Sequence, residues 1–241
     1  MTNGEMYFLL KQSFKGILEK RSLHDHTVYV KAERPADSDA ADLDGKEIKL
    51  IADYEGTTGE CSTSYTGFAS GYKGTLGEVL SLDIENDPHA RSVYIAAVNA
   101  VMNKLEMADD CVSCVADDKV ECAEHIVRQY KKNNGKVNVL LAGYQPQMLE
   151  ALAANFPVRV LDLDKDNIGK TYFGVTVEDG MEAFSDAAWW AEVILCTGSA
   201  LSNGTLIKYI NMPKDVLFYG TTVASCARVL GLRRMCPFSR N

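Results

Sequence analysis

The stretch AEVILCTGSALSNGTLIKYI, residues 191–210, joins an apolar run to a helical-looking one through a loop without charge. AEVIL is short and unbroken, the pattern of a strand buried on both faces of a parallel sheet. LIKYI reads as the start of a helix. Between them, CTGSALSNGT is small, hydroxylated and amide-rich. A strand that empties into such a loop and then a helix is the repeating unit of a doubly wound α/β fold. It also raises the question of what the loop holds.

The flanking sequence keeps the same rhythm. KVNVLLAG (136–143), PVRVLDLD (157–164) and DVLFYG (215–220) are further apolar runs. Helices are expected over about 118–132, 147–155 and 181–188, after Asn203 and after Thr222. A less regular piece follows residue 164, and LRRMCPF (232–238) closes the series. Residues 111–241 therefore read as a Rossmann-like, mostly parallel sheet with helices on both faces.

Residues 1–110 read differently, as a smaller α+β unit. Met6, Leu9, Leu10, Phe14, Ile17 and Leu18 recur at helical spacing. TVYVKAER (27–34) and KEIKLIADY (46–54) alternate apolar and polar residues, as half-buried strands do. The acidic PADSDAADLDG (35–45) links them. Residues 55–75, rich in glycine and hydroxyls and without periodicity, read as a long loop. TLGEVLSL (75–82) is a short helix. Asp87 and Pro88 then announce a longer one, with Val93, Ala96, Ala97, Ala100 and Val101 as its buried stripe. The boundary between the two units falls between residues 106 and 118.

Composition narrows the function classes. A net charge of −8 disfavours nucleic acid and anionic membrane as partners, since both require clustered Lys and Arg. The one dense basic cluster is RRMCPFSR, residues 233–240. No run approaches the roughly 20 apolar residues of a spanning helix. The N-terminus reads as an amphipathic helix rather than a signal peptide. Seven cysteines, an odd number, point to free thiols and the cytoplasm. A small-molecule ligand is the partner this composition favours, and the sequence leaves room for a homo-oligomer.

In open α/β sheets, ligands collect beyond the carboxyl ends of the strands. Those ends are Gly143-Tyr144-Gln145-Pro146, Asp162-Leu163-Asp164, the opening stretch, and Tyr219-Gly220-Thr221-Thr222. A dinucleotide site wants three glycines after the first strand, whereas Gly143 stands alone before a bulky Tyr144. The same gap weighs against an S-adenosylmethionine-dependent methyltransferase, which stays open as an alternative. Gly198 and Gly204 do not form a Walker loop, because no Lys follows. No particular cofactor is indicated. The opening stretch offers another chemistry: Ser202 or Asn203 caps the next helix, and the N–H groups of Asn203, Gly204 and Thr205 point outward. With the Thr197 and Ser199 hydroxyls they make a donor cradle for a carboxylate, a phosphate or a polar ring edge.

GYQPQMLEAL, VLDLD, AEVILCTGSALSNGTL and VLFYGTTVA resemble the family of heavy-metal-chelation domains, proteins of otherwise unknown function. TLGEVLSLDI and YIAAVNAV resemble that family's N-terminal half, so the likeness runs over nearly the whole chain. It implies an enolase N-terminal-like half before a Rossmann-like one, with a site between them. It also implies a role with metal chelators or with pterin-, flavin- or siderophore-like molecules. The positions it carries over are Gly143, Thr197, Gly198, Ser199, Asn203, Gly204, Thr205 and Gly220, together with Asn99 on the helix of the first half. Asn99 either faces the cleft or satisfies neighbouring backbone. Gly220-Thr221-Thr222 departs from the family, which often has a proline soon after the glycine.

Cys111, Cys114, Cys122 and His125 suggest a tetrahedral metal site, although their spacing matches no standard zinc pattern. Inert, buried cysteines are the competing reading. For proton transfer the candidates are Asp162, Glu178 and Asp179, each equally readable as a surface carboxylate. His24 and His26 read as solvated, and His89 falls in a helix's first turn, where a cation is unfavourable.

Overall fold

A computed structural model describes residues 1–33, 48–63, 71–115, 118–134 and 137–240. The acidic link at 35–45 lies outside them. Helix α1 (Asn3–Arg21) starts on a reciprocal cap: the Thr2 hydroxyl accepts from Glu5 N, and Thr2 N donates to the Glu5 carboxylate at 2.7 Å. Strands β1 (Thr27–Glu33) and β2 (Ile48–Tyr54) pair antiparallel, as their alternation predicts.

The stretch from Glu55 to Thr75 is not a long loop. Glu55 and Gly56 take φ of 49° and 77°, the pair of positive values that matches a hairpin's twist. Strand β3 (Thr57–Thr63) then runs back along β2, and β4 (Tyr72–Thr75) pairs with β1. The sheet order is β3-β2-β1-β4. Glycine and hydroxyls disguised a strand that carries three β-branched threonines. Residues 64–70 of that stretch lie outside the described ones.

Helix α2 (Leu76–Ser81) repeats the reciprocal cap at Thr75 and Glu78. Helix α3 (Pro88–Lys104) starts where Asp87 accepts from His89 N and Ala90 N at 2.8 and 3.1 Å. Its expected stripe is buried, but so is every residue from Ala90 to Asn103. The helix is clasped on one side by β2 and β3 and on the other by elements of the second half. Gly59 of β3 touches it: a Cβ there would lie 2.1 Å from Ala100 N.

The second half continues with α4 (Asp118–Asn134), β5 (Val139–Ala142), α5 (Pro146–Ala153), β6 (Val158–Asp162), β7 (Thr171–Tyr172), β8 (Val175–Asp179) and α6 (Phe184–Trp190). It ends with β9 (Val193–Thr197), α7 (Ser199–Ser202), α8 (Leu206–Ile210), β10 (Asp215–Tyr219) and α9 (Ala224–Leu230). The sheet order is β10-β9-β5-β6-β8-β7, parallel except for the edge strand β7. The less regular piece after residue 164 is thus the β7–β8 hairpin. LRRMCPF adds no strand, only a bridge from Arg234 to Phe218.

This is the mixed α/β, Rossmann-like fold that the apolar runs predict. Alternate strand residues feed opposite faces. Leu140, Ile194 and Phe218 join a core shared with α1, α3 and the first sheet, while Leu141, Leu195 and Leu217 pack under α4 and α5. The chain leaves β5 towards β6 and β8, then returns to β9 and β10 on the other side. A crevice at that reversal is where such sheets bind ligands.

Asn99 ties the halves together. Its Nδ2 donates to Glu60 O at 2.8 Å and Thr221 O at 3.1 Å, and its Oδ1 accepts from Ser225 N at 3.0 Å. It is 1% exposed. Of its two readings, the structure has its amide satisfying backbone, away from the strand-end crevice.

Two substitutions test this clasp. Gly59→Ala forces β3 off α3 and is expected to cost about 3 kcal/mol or more in urea unfolding. Asn99→Leu keeps the branched skeleton but leaves buried backbone groups unpaired and adds bulk, with an expected loss of about 3 kcal/mol in the same measurement.

Candidate functional site

At the reversal, the ends of β5 and β9 meet. Gly143 takes φ +94°, and a Cβ there would sit 2.5 Å from the Thr197 Cγ2. Both facts require glycine. A hollow of about 180 Å³ opens beside this contact, lined by Gly143, Tyr144, Thr197, Ser199, Asn203 and Thr205 among others. A second hollow, of about 260 Å³, lies across the rim and shares Gln145, Thr197, Ser199 and Tyr219 with the first. Gly198, Gly220 and Thr221 line this second one. Gly204 lines neither; it packs beside Arg91.

The opening stretch folds differently from its sequence reading. Neither Ser202 nor Asn203 caps the next helix. The short turn α7 intervenes, α8 starts at Leu206, and Thr205 precedes it without a side-chain cap. The backbone amides expected to point outward are bonded internally. Asn203 N donates to Ser199 O at 2.9 Å, Gly204 N to Leu201 O at 3.2 Å and Thr205 N to Ala200 O at 2.8 Å. The extra turn satisfies them, as buried backbone requires. What faces the hollow is a set of side chains rather than a cradle of N–H groups.

Arg91, 6% exposed, braces that turn. It donates to Ile84 O at 2.6 Å, Glu85 O at 2.7 Å and Ser202 O at 3.0 Å, and stacks 5.2 Å from the Tyr7 ring centroid. Ser202 Oγ also donates to Ser62 O of β3 at 2.6 Å. Thr222, where the family resemblance expects a proline nearby, accepts from Ser62 N at 2.8 Å. The rim of the second half is thereby pinned to β3 of the first.

The three candidate carboxylates have structural work. Asp162 accepts from Tyr144 N, Leu163 N, Asp164 N and Asn167 Nδ2, at 2.6 to 3.3 Å. Glu178 is paired with Arg159, whose Nε lies 2.7 Å away. Asp179 accepts from Met181 N and Glu182 N, and these bonds lower its pKa. Sequence reasoning missed Lys208, which lines the first hollow with its ammonium 5.1 Å from the Phe184 ring centroid. It missed Lys49 and Lys119, which line the second. Their signal is weak, since surface lysines are common.

The cysteine grouping changes as well. Cys111 is buried, its thiol turned to the carbonyls of Ala108 and Asp109. Cys114 and Cys122 instead share the second hollow with Cys236 from the C-terminal segment. Among the described residues no three His, Cys, Asp or Glu side chains are placed to hold a metal. Burial, and then the charges of Cys236 and Cys114, push the Cys122 thiol up to about 12. It is a neutral thiol at physiological pH. Alkylation of Cys122 by iodoacetamide, followed by peptide mass spectrometry, is expected to be slow at neutral pH. Its rate is expected to keep rising beyond about pH 10, without an earlier plateau.

No family model matches the chain, and neither does any curated protein. Solved structures that share the fold include two proteins of unknown function. One is a protein of unknown function from the DUF364 family of Pyrococcus horikoshii, with a TM-score of 0.52 and 14% identity over 89% of this chain and 79% of that one. The other, also of unknown function and from the DUF364 family, is from Desulfitobacterium hafniense, with a TM-score of 0.52 and 12% identity over 76% and 72%.

Proposed function

We propose that the strand-end cleft binds a small molecule carrying an anionic group beside a flat body. One observation carries this reading. The protein has a net charge of −8, yet among the described residues the charged side chains lining the two hollows are Lys49, Lys119, Lys208 and one carboxylate, Asp162. That carboxylate already accepts four N–H bonds. A cationic lining in an acidic protein draws anions by local field, and its walls concentrate the effect. The hydroxyls and amides of Thr197, Ser199, Asn203 and Thr205 supply neutral polar contacts. Tyr144, stacked on Tyr172 at 4.6 Å, and Tyr219 offer ring faces and edges.

Pterin-, flavin- and siderophore-like chelators combine these features, and the family resemblance points to the same class. We place the ligand in a cleft between an N-terminal unit of residues 1–110 and a C-terminal unit of residues 111–241, in a cytoplasmic protein. Binding without turnover is favoured at this rim. Asp162, Glu178 and Asp179, the candidate acids and bases, are all engaged in holding loops and strands, whereas a general base must be available to the substrate.

The test is a fluorescence titration with pterin-6-carboxylate, supported by native mass spectrometry of co-purified small molecules. Lys208→Gln and Asn203→Asp are each expected to weaken binding about tenfold, through a lost cation and an added negative charge. The melting temperature should stay within about 2 °C, as for a surface change. Unchanged affinity in both variants, or absence of binding, overturns the reading.

A further inference from the structure

The two hollows are not equivalent, and the first half of the chain supplies part of the difference. Lys208 serves the first; Lys49 and Lys119 serve the second. Lys49 comes from β2. Its cross-strand partner Ser62 lines the same hollow, and Glu60 lies two residues away on the same face of β3. Glu60 holds Lys49 in place: Lys49 Nζ is 3.3 Å from its Oε2, and the carboxylate side chain is only 6% exposed. The same oxygen accepts from Ser113 N at 2.9 Å and from the Ser113 hydroxyl. A buried carboxylate so bonded fixes a lysine head at a cleft mouth, at the cost of part of its field. Lys119, exposed on α4, adds a second cation to that hollow. Between the cationic ends stands the uncharged rim of Gln145, Thr197, Ser199 and Tyr219 that both hollows share.

Resting on the anion-binding reading above, we infer that the ligand is a dianion. It spans both hollows, with one anionic group beside Lys208, a flat neutral middle over the rim, and a second anionic group beside Lys49 and Lys119. Lys49 of the first half is then a specificity element, because with Lys119 it selects for the second charge. The thiols of Cys114 and Cys122, raised above their ordinary pKa by burial, do not oppose that charge at neutral pH.

The experiment is a chemical-shift titration of the full chain with benzoate, terephthalate and naphthalene-2,6-dicarboxylate. It is run on the wild type and on Lys208→Gln, Lys49→Gln and Lys119→Gln. Glutamine at position 49 keeps a donor for Glu60, so the fold is expected to hold. At least one dicarboxylate is expected to bind about tenfold tighter than benzoate. Lys49→Gln removes that advantage, bringing the dicarboxylate affinity down to that of benzoate, whereas Lys208→Gln weakens all three probes. If Lys49→Gln does not fold, Lys119→Gln is expected to reduce the same advantage. Dicarboxylates no tighter than benzoate, or an advantage that survives the position-49 variant (the position-119 variant if the former does not fold), overturn the dianion while leaving the anion site standing. No probe response in the cleft, or none lost in Lys208→Gln, overturns both.

Discussion

The structure depends on one helix that belongs to two layers at once. α3 is buried on every side, so its surface must be small wherever backbone approaches it. Ala96, Ala97 and Ala100 meet that requirement on the helix, and Gly59 meets it on the strand. At the tightest point a polar side chain is tolerated because each of its groups is matched. The Asn99 amide, 1% exposed, donates to one backbone carbonyl of β3 and to those of Thr221 and Thr222 in the β10–α9 loop, and accepts from the start of α9. A buried amide of this kind is costly if any partner is lost, and it discriminates strongly against other arrangements. Asn99 therefore fixes register between layers as well as adding stability. The rim of the cleft inherits that precision through Thr221 and Thr222.

Much of this was legible in the sequence because the second half follows one rule repeatedly. A parallel strand buried on both faces reads as a near-continuous apolar run, and VLLA, VRVLD, VILCT and DVLFY stand out against polar surroundings. Asp87-Pro88 announced a helix start through local bonds that a short window of sequence contains. Strand β3 was hidden because its chemistry is set by distant contacts. Gly59 is there for α3, and Glu60 is there for Lys49 and Ser113. Neither reason can be read from neighbours in the chain, and glycine with hydroxyls looks like a loop.

The site shows the same division. The rule that ligands gather beyond the carboxyl ends of parallel strands named four ends as the place to look, and small residues after β9 do line the hollow there. Their donors were misassigned. A run of Ser, Asn, Gly and Thr is equally suited to capping a helix and to closing an extra turn, and the choice falls to tertiary contacts such as the Arg91 bond to Ser202 O. The lysines at positions 49, 119 and 208 come from three distant segments. Only the fold brings them to one cleft, against the sign of the whole molecule's charge.

The shared hydrophobic core has a mechanical consequence. Proteins that trap ligands between two lobes often swing those lobes about a hinge, which needs an interface that can part. Here α1, α3, the first sheet and one face of the second sheet lie in a single apolar cluster, with a saturated amide and a buried guanidinium fastened across it. The two walls are parts of one solid, so the outline of the crevice between them is set by the packing of the core rather than by a swing of lobes.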